Sequence, residues 1–152
     1  MTPPPRPTQI DIHRILQVLP LRHPMVLVDR VTELVPSQHI RGHKCVSYSE
    51  PWFQGQQRPV LPGMLILEAL SQIGAILAYA SEPFDPSNNL MYFLGLDKVK
   101  FRKTAGPGDR LDLFCEVVHH RMNVWKLRGE ASVEGTLCAQ GELLASVIDR
   151  KP

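Results

Sequence analysis

Glu68 is the residue in this chain best placed to do proton chemistry. It stands in Met64-Leu-Ile-Leu-Glu-Ala-Leu-Ser-Gln-Ile-Gly-Ala-Ile-Leu-Ala-Tyr-Ala80, a run that is apolar on nearly every face. A carboxyl group in apolar surroundings suits proton transfer, because burial disfavours the charged form. Gln72 lies four residues on, on the same helical face, where its amide could hold that carboxyl by a hydrogen bond. The same pattern fits a carboxylate in a structural network or at a subunit interface, since a buried Glu is rare without some such role. Pro62-Gly63 opens the run. The first N–H groups of a helix have no partner inside it and carry the positive end of the dipole. The Gly63 N–H could therefore polarise a carbonyl, or could be no more than a helix start.

The histidines form a poor catalytic or metal-binding set. His119 and His120 are neighbours on an expected strand, so they point to opposite faces. His39 and His43 share a face but stand about 13 Å apart along a strand, too far to ligate one ion. His13 and His23 have no visible partner. No GxSxG, HExxH, GxGxxG or P-loop pattern occurs, and no metal site is expected. Lys98, Lys100 and Arg102 alternate, with Lys103 beside them. On a strand they would form one basic stripe, suited to an acidic partner or a phosphate, or simply a solvated face.

These residues need elements to hold them. Residues 64–80 read as a buried helix, because a helix that is apolar all round has no face for water. Apolar residues at 12, 15, 16 and 19 predict a short helix that Pro20 stops. Met25–Val35 is β-branched and reads as a strand, with 39–49 as its hairpin partner. Glu50–Gly63 and Pro83–Asn89 read as loops. Alternation then predicts strands over 91–101, 110–120, 124–133 and 136–148, with turns at Gly106-Pro-Gly-Asp109 and Glu134-Gly135. Consecutive strands with short turns pair antiparallel. The expected architecture is α+β: about six strands in a curved antiparallel sheet around one long helix.

Composition bounds the rest. The chain has 152 residues, which suits one domain, expected over 10–152 behind a stiff or disordered proline-rich arm at 1–9. Hydrophobic residues make up 43% and charged residues 21%, which argues against general disorder. A net charge of +2 and 7% aromatics argue against a nucleic-acid binder. No uncharged apolar run reaches the ~18–20 residues of a membrane span, and the start carries no signal-peptide core. Three cysteines without CxxC spacing argue against a disulfide framework and fit a cytoplasmic location.

Taken together, four stretches resemble the FabZ-type (3R)-3-hydroxyacyl-acyl-carrier-protein dehydratases of fatty acid synthesis. Leu19-Pro-Leu-Arg-His-Pro-Met-Val-Leu-Val-Asp-Arg-Val31 is similar to LPHRYPFLLVDRV, and Val46-Ser-Tyr-Ser-Glu-Pro-Trp-Phe-Gln-Gly55 to VSxNEPFFQG. Pro59-Val-Leu-Pro-Gly-Met-Leu-Ile-Leu-Glu-Ala-Leu-Ser-Gln72 is similar to PIFPGVLILEAMAQ. Met91–Lys103, followed by Pro107-Gly-Asp109, resembles YFAGIDKARFRKPVVPGD. The match runs from about Leu19 to Ile148.

The resemblance implies a hot-dog fold, a dimer or trimer of dimers, and no cofactor beyond the phosphopantetheine of acyl carrier protein that carries the substrate. In such enzymes a loop His removes the α-proton, and a helix Glu of the other subunit protonates the leaving hydroxyl. The N–H of the glycine that opens the helix polarises the thioester carbonyl. On this chain Glu68 takes the carboxylate role, Gly63 the carbonyl donor role and Gln72 a supporting one. Lys98, Lys100, Arg102 and Lys103 would meet the carrier.

The His does not carry over. The family reads FxGHFPG, whereas this chain reads Phe53-Gln-Gly-Gln56-Gln57-Arg58-Pro59, about two residues shorter. Gln56 or Gln57 stands where the His belongs, and a carboxamide is no general base. Leu21 replaces a further family His. Two other readings therefore stand beside the dehydratase. One is a catalytically incomplete hot-dog subunit that binds acyl carrier protein or pairs with a His-bearing homologue. The other is an acyl thioesterase that uses Glu68 and Gly63 alone.

Overall fold

Alternation of apolar and polar side chains after Arg110 produces three consecutive strands of 12, 10 and 14 residues. The computed structural model describes residues 8–150. Within them lie α1 (Ile12–Val18), β1 (Arg30–Val35), β2 (His39–Cys45), α2 (Gly63–Ser81), β3 (Asn89–Phe101), β4 (Arg110–Arg121), β5 (Val124–Val133) and β6 (Thr136–Asp149). The strands form one six-stranded antiparallel sheet in the order β1-β2-β4-β5-β6-β3. The expected arm lies mostly outside the described residues; Ile10, just after it, bridges Val31 through two backbone hydrogen bonds of 3.0 and 2.9 Å.

The inward face of the sheet is the alternating set. Leu111, Leu113 and Cys115 of β4, Trp125, Leu127 and Ala131 of β5, and Leu143 and Ala145 of β6 are buried. All of these but Ala145 meet Ile66, Leu67, Leu70, Ile73 and Leu77 of α2 in one core. Three glycines let helix and sheet approach closely. A Cβ on Gly74 would lie 2.7 Å from Leu127 Cδ1, one on Gly42 2.9 Å from Ile73 Cδ1, and one on Gly129 3.2 Å from Leu70 Cδ1. By length and hydropathy α2 could cross a membrane, but here it is the core helix.

Two expectations about strands are corrected. The strand expected from Met25 begins only at Arg30. Pro24 has no N–H to give a ladder, and the Leu27 N–H and Met25 carbonyl bond the Gln72 side chain instead of another strand. The alternating basic stripe is also broken. The pairing of β3 with β6 shifts register between Asp97 and Lys100, and Lys98 sits at φ 51°. An extra residue at a bulge moves the side chains that follow to the other face. Arg102 lies just past the strand. The Glu134-Gly135 hairpin forms as expected, both residues adopting positive φ (49° and 77°), as a tight hairpin turn requires.

All three thiols are free, and they differ sharply in exposure. Burial pushes the Cys115 thiol up to about 12, and Cys138 is also raised, chiefly by burial. Cys45 is exposed. The thiolate is the reactive form. The folded chain is therefore expected to take up one equivalent of a thiol reagent, at Cys45, and three after denaturation. Rapid native labelling of Cys115 or Cys138, read by peptide mass spectrometry, would show a looser core than this one.

Candidate functional site

α2 starts at Gly63, one residue before the apolar run. Pro62 is its N-cap and gives no side-chain cap; the Leu65 N–H bonds the Pro62 carbonyl at 2.9 Å, which leaves those of Gly63 and Met64 open. Among the described residues the Gly63 N–H makes no hydrogen bond. The Phe101 ring lies against the glycine: a Cβ there would fall 2.7 Å from Phe101 Cε1. The sheet covers most of the helix. Met64, Glu68, Ala75 and Tyr79 remain exposed or half-buried. At their spacing they form one stripe, interrupted at Gln72.

Gln72 is buried and does three things at once. Its oxygen accepts from the Leu27 N–H at 2.8 Å, and its Nε2 donates to the Met25 carbonyl at 2.7 Å. The same nitrogen donates to Glu68 Oε1 at 3.0 Å. A buried amide with its groups satisfied is rigid. It pins the linker before β1 onto the helix and fixes one oxygen of Glu68. The other oxygen has no partner among the described residues.

Glu68 borders a pocket of about 180 Å³. The walls are mainly apolar: Leu19 and Leu21 from the linker, Ala75 from α2, Phe84 and Pro86 from the loop after it, and Leu90, Met91 and Phe93 from β3. Sequence reading missed the contribution of Phe84, Pro86 and Leu21. The signal available was only that their loops carry apolar residues; Phe84 is held there edge-on to Tyr79, with ring centroids 5.3 Å apart.

The structure brings Glu68 and Gln72 together, but gives Gln56 different work. The Gln56 Nε2 donates to the carbonyls of Trp52 (2.7 Å) and Val60 (3.2 Å), and its oxygen accepts from the Val60 N–H (3.0 Å). The side chain thus clamps the two ends of the shortened loop, between a 3-10 turn at Pro51–Phe53 and the Leu61 N–H, which bonds the Ala105 carbonyl at 2.8 Å. Gln57 is exposed.

The basic residues separate as well. Lys98 pairs with Glu142 at 3.2 Å, while Lys126 approaches the other oxygen at 3.1 Å. The bonds from Lys126, then from Lys98, hold the Glu142 carboxyl below its usual range. Lys100, Arg102 and Lys103 are exposed and flank Phe101, the residue whose ring covers Gly63. Three exposed cations therefore neighbour, in sequence, the residue that packs on the N-terminus of α2.

Comparison with known proteins bears on the family and the fold. A FabA-like domain model matches residues 19–142. A curated relative from Sorangium cellulosum (strain So ce56), named 3-hydroxyacyl-(acyl-carrier-protein) dehydratase FabZ, is 67% identical over 148 residues, covering 96% of each chain. Among solved structures, the dehydratase heterocomplex ApeI:P from Xenorhabdus doucetiae superposes with a TM-score of 0.75 at 22% identity, over 87% of this chain and 89% of that one. A hot-dog-like protein from Thermanaerovibrio acidaminovorans gives 0.61 at 17% identity, over 76% and 84%. The fold is the hot-dog fold.

Proposed function

The chain belongs to the FabA-like hot-dog family and, within it, to the FabZ dehydratases, and from that premise we propose that it removes water from 3-hydroxyacyl thioesters on acyl carrier protein to give the trans-2-enoyl thioester. The observation that carries this reading is Glu68: one carboxylate, oriented by a buried amide, at the edge of an apolar pocket. The pocket receives the acyl chain. The Gly63 N–H polarises the thioester carbonyl, and the electron density that gathers on that oxygen meets the positive end of α2. Glu68 moves protons at the carbons beside it. The substrate arrives on phosphopantetheine and the protein needs no cofactor of its own. We place it in the cytoplasm, where its free thiols stay reduced.

The acting unit is a symmetric dimer. The stripe of Met64, Glu68, Ala75 and Tyr79 lies open on α2, and Tyr92, Leu94 and Leu96 lie exposed on the edge strand β3. A self-complementary contact across these surfaces covers apolar area and an unpaired strand edge together. Carrier protein docks on Lys100, Arg102 and Lys103 beside Gly63. Lys98 contributes less, being engaged with Glu142.

The test is turnover of 3-hydroxyacyl carrier protein by the purified chain, followed by intact-protein mass spectrometry. Loss of water with the thioester intact supports the dehydratase. Release of free thiol would replace it with a thioesterase. Neither, in a folded protein, would make it the incomplete subunit of a pair. Reversing Lys100 and Arg102 together to Glu is expected to raise KM for the carrier-linked substrate on the order of 10-fold at low salt, less at high salt, with kcat unchanged. A KM insensitive to both charge and salt would move the docking surface elsewhere.

A further inference from the structure

Elimination of water needs a group that takes the α-proton and a group that protonates the leaving hydroxyl. Among the described residues that line the pocket, one side chain is ionisable. Glu68 borders it; nothing that lines it from the end of α1, from linker residues 19–21, from the 84–86 loop or from β3 can titrate. The loop where a base would be expected carries Gln56, whose amide donates both its N–H groups and accepts a third bond from the loop backbone. It has neither the basicity nor the freedom to take a proton.

The histidines are placed elsewhere. His39 pairs with Glu33 beside the Phe114 ring. His120 stacks on Trp125, with centroids 3.5 Å apart, and bonds the Met122 carbonyl at 2.7 Å. His13 is exposed on α1, His43 lies on β2 opposite Arg30 and Asp112, and His119 is exposed on β4. His23 is exposed on the linker and does not line the pocket. Neither the open stripe of α2 nor the edge strand β3 carries a histidine that a second copy could present there.

We infer that Glu68 carries both proton transfers, with Gln56 as a positioning residue that closes the loop and no histidine taking part. The inference rests on the dehydratase reading and deepens it. The free oxygen of Glu68 takes the proton from C2 as the C2–H bond breaks. The electron pair moves onto the thioester oxygen, held by the Gly63 N–H. Collapse of that enolate forms the C2=C3 double bond and expels the C3 hydroxyl, which takes the same proton from the Glu68 carboxylic acid. Water leaves and the carboxylate is restored. A syn elimination permits this, because both departing groups lie on the face that one carboxyl addresses.

The test is the pH dependence of kcat/KM for the full chain on 3-hydroxyacyl carrier protein, in wild type, Gln56→His and His23→Ala. With one carboxylate serving as base and then as acid, the profile is expected to rise once and stay level to about pH 9. A separate base and acid give a bell, since the acid must start protonated. His23→Ala should stay within about two-fold of wild type. Gln56→His should lower turnover at least about ten-fold and leave the shape of the profile unchanged, because an imidazole cannot make three bonds to that loop. A bell in the wild type, a gain of turnover or a new limb in Gln56→His, or a collapse in His23→Ala would each overturn the inference while leaving the dehydratase in place. If Gln56→His does not fold, the wild-type profile and His23→Ala still decide. Absence of any water loss in the wild type would instead bring down the dehydratase reading, and this one with it.

Discussion

Glu68→Gln is expected to fold normally and to lose turnover of 3-hydroxyacyl carrier protein by about 10²–10⁴-fold, at the upper end if one group serves both transfers. The upper figure corresponds to roughly 5.5 kcal/mol on the barrier. The substitution is nearly isosteric. Its amide oxygen can still accept from Gln72 Nε2, which now donates to Glu68 at 3.0 Å, so the buried network survives. What disappears is the basic oxygen and the ability to return a proton. Thermal melting should agree with wild type to about 2 °C. Turnover within a few-fold of wild type, measured by loss of water from the intact carrier, would remove Glu68 from the chemistry altogether. A parallel loss of activity and of Tm would show that its role is structural.

Glu50→Ala is expected to cost the fold about 3–5 kcal/mol, the largest stability effect of any single change considered, with Tm falling on the order of 10 °C. Lys44 is only 4% exposed, and its ammonium pairs with Glu50. It also lies over the Trp52 ring, 5.8 Å from the centroid. The second oxygen of Glu50 accepts the Ser47 N–H at 2.9 Å. Removing Glu50 leaves a buried cation without its counter-charge, the case in which desolvation is no longer offset. The double change Lys44→Met with Glu50→Leu should recover most of the loss, because the interior then holds neither charge. Urea unfolding of the three proteins checks both statements. A single change costing under 1 kcal/mol would mean that water reaches Lys44 in solution. Glu50 also opens the turn that leads to Gln56, since the Phe53 N–H bonds its carbonyl at 3.3 Å. Loop order should therefore fall with stability.

Much of the fold was readable because it rests on local patterns. Strand β5 and the first half of β4 alternate strictly and β6 alternates over much of its length, and α2 is the one apolar run too long and continuous for a strand. The turns carried their own residues, Gly106-Pro-Gly-Asp109 and Glu134-Gly135. The failures come from contacts between distant residues. Met25–Val28 has the composition of a strand, but the Leu27 N–H and the Met25 carbonyl bond a side chain 45 to 47 residues away. Lys98 belongs to an alternating series, and only the pairing of β3 with β6 reveals the bulge that breaks it.

The candidate site divides in the same way. Glu68 and Gln72 were legible together, because four residues on a helix is a contact distance whatever the rest of the chain does. Gln56 was legible as a residue but not in its work, since its bonds to Trp52 and Val60 exist only once the loop has closed. The pocket wall from Phe84 and Pro86 was not legible, because nothing local turns that loop back over Tyr79.

The three glycines between α2 and the sheet set a reference plane for the Glu68 carboxylate. Gly74 and Gly129 leave no side chain where the helix meets Leu127 and where the sheet meets Leu70, and Gly42 does the same under Ile73 while also lying against the Arg30 carbonyl, so the height of α2 above the sheet is fixed by glycine backbone against these side chains. Glu68 projects from the other side of that same rigid rod. A methyl group added behind the helix would act like a shim under a bearing, lifting the working face without touching it. Variation at these positions should therefore register first as misaligned catalysis in a protein that still folds, and the sites most costly to change need not border the substrate at all.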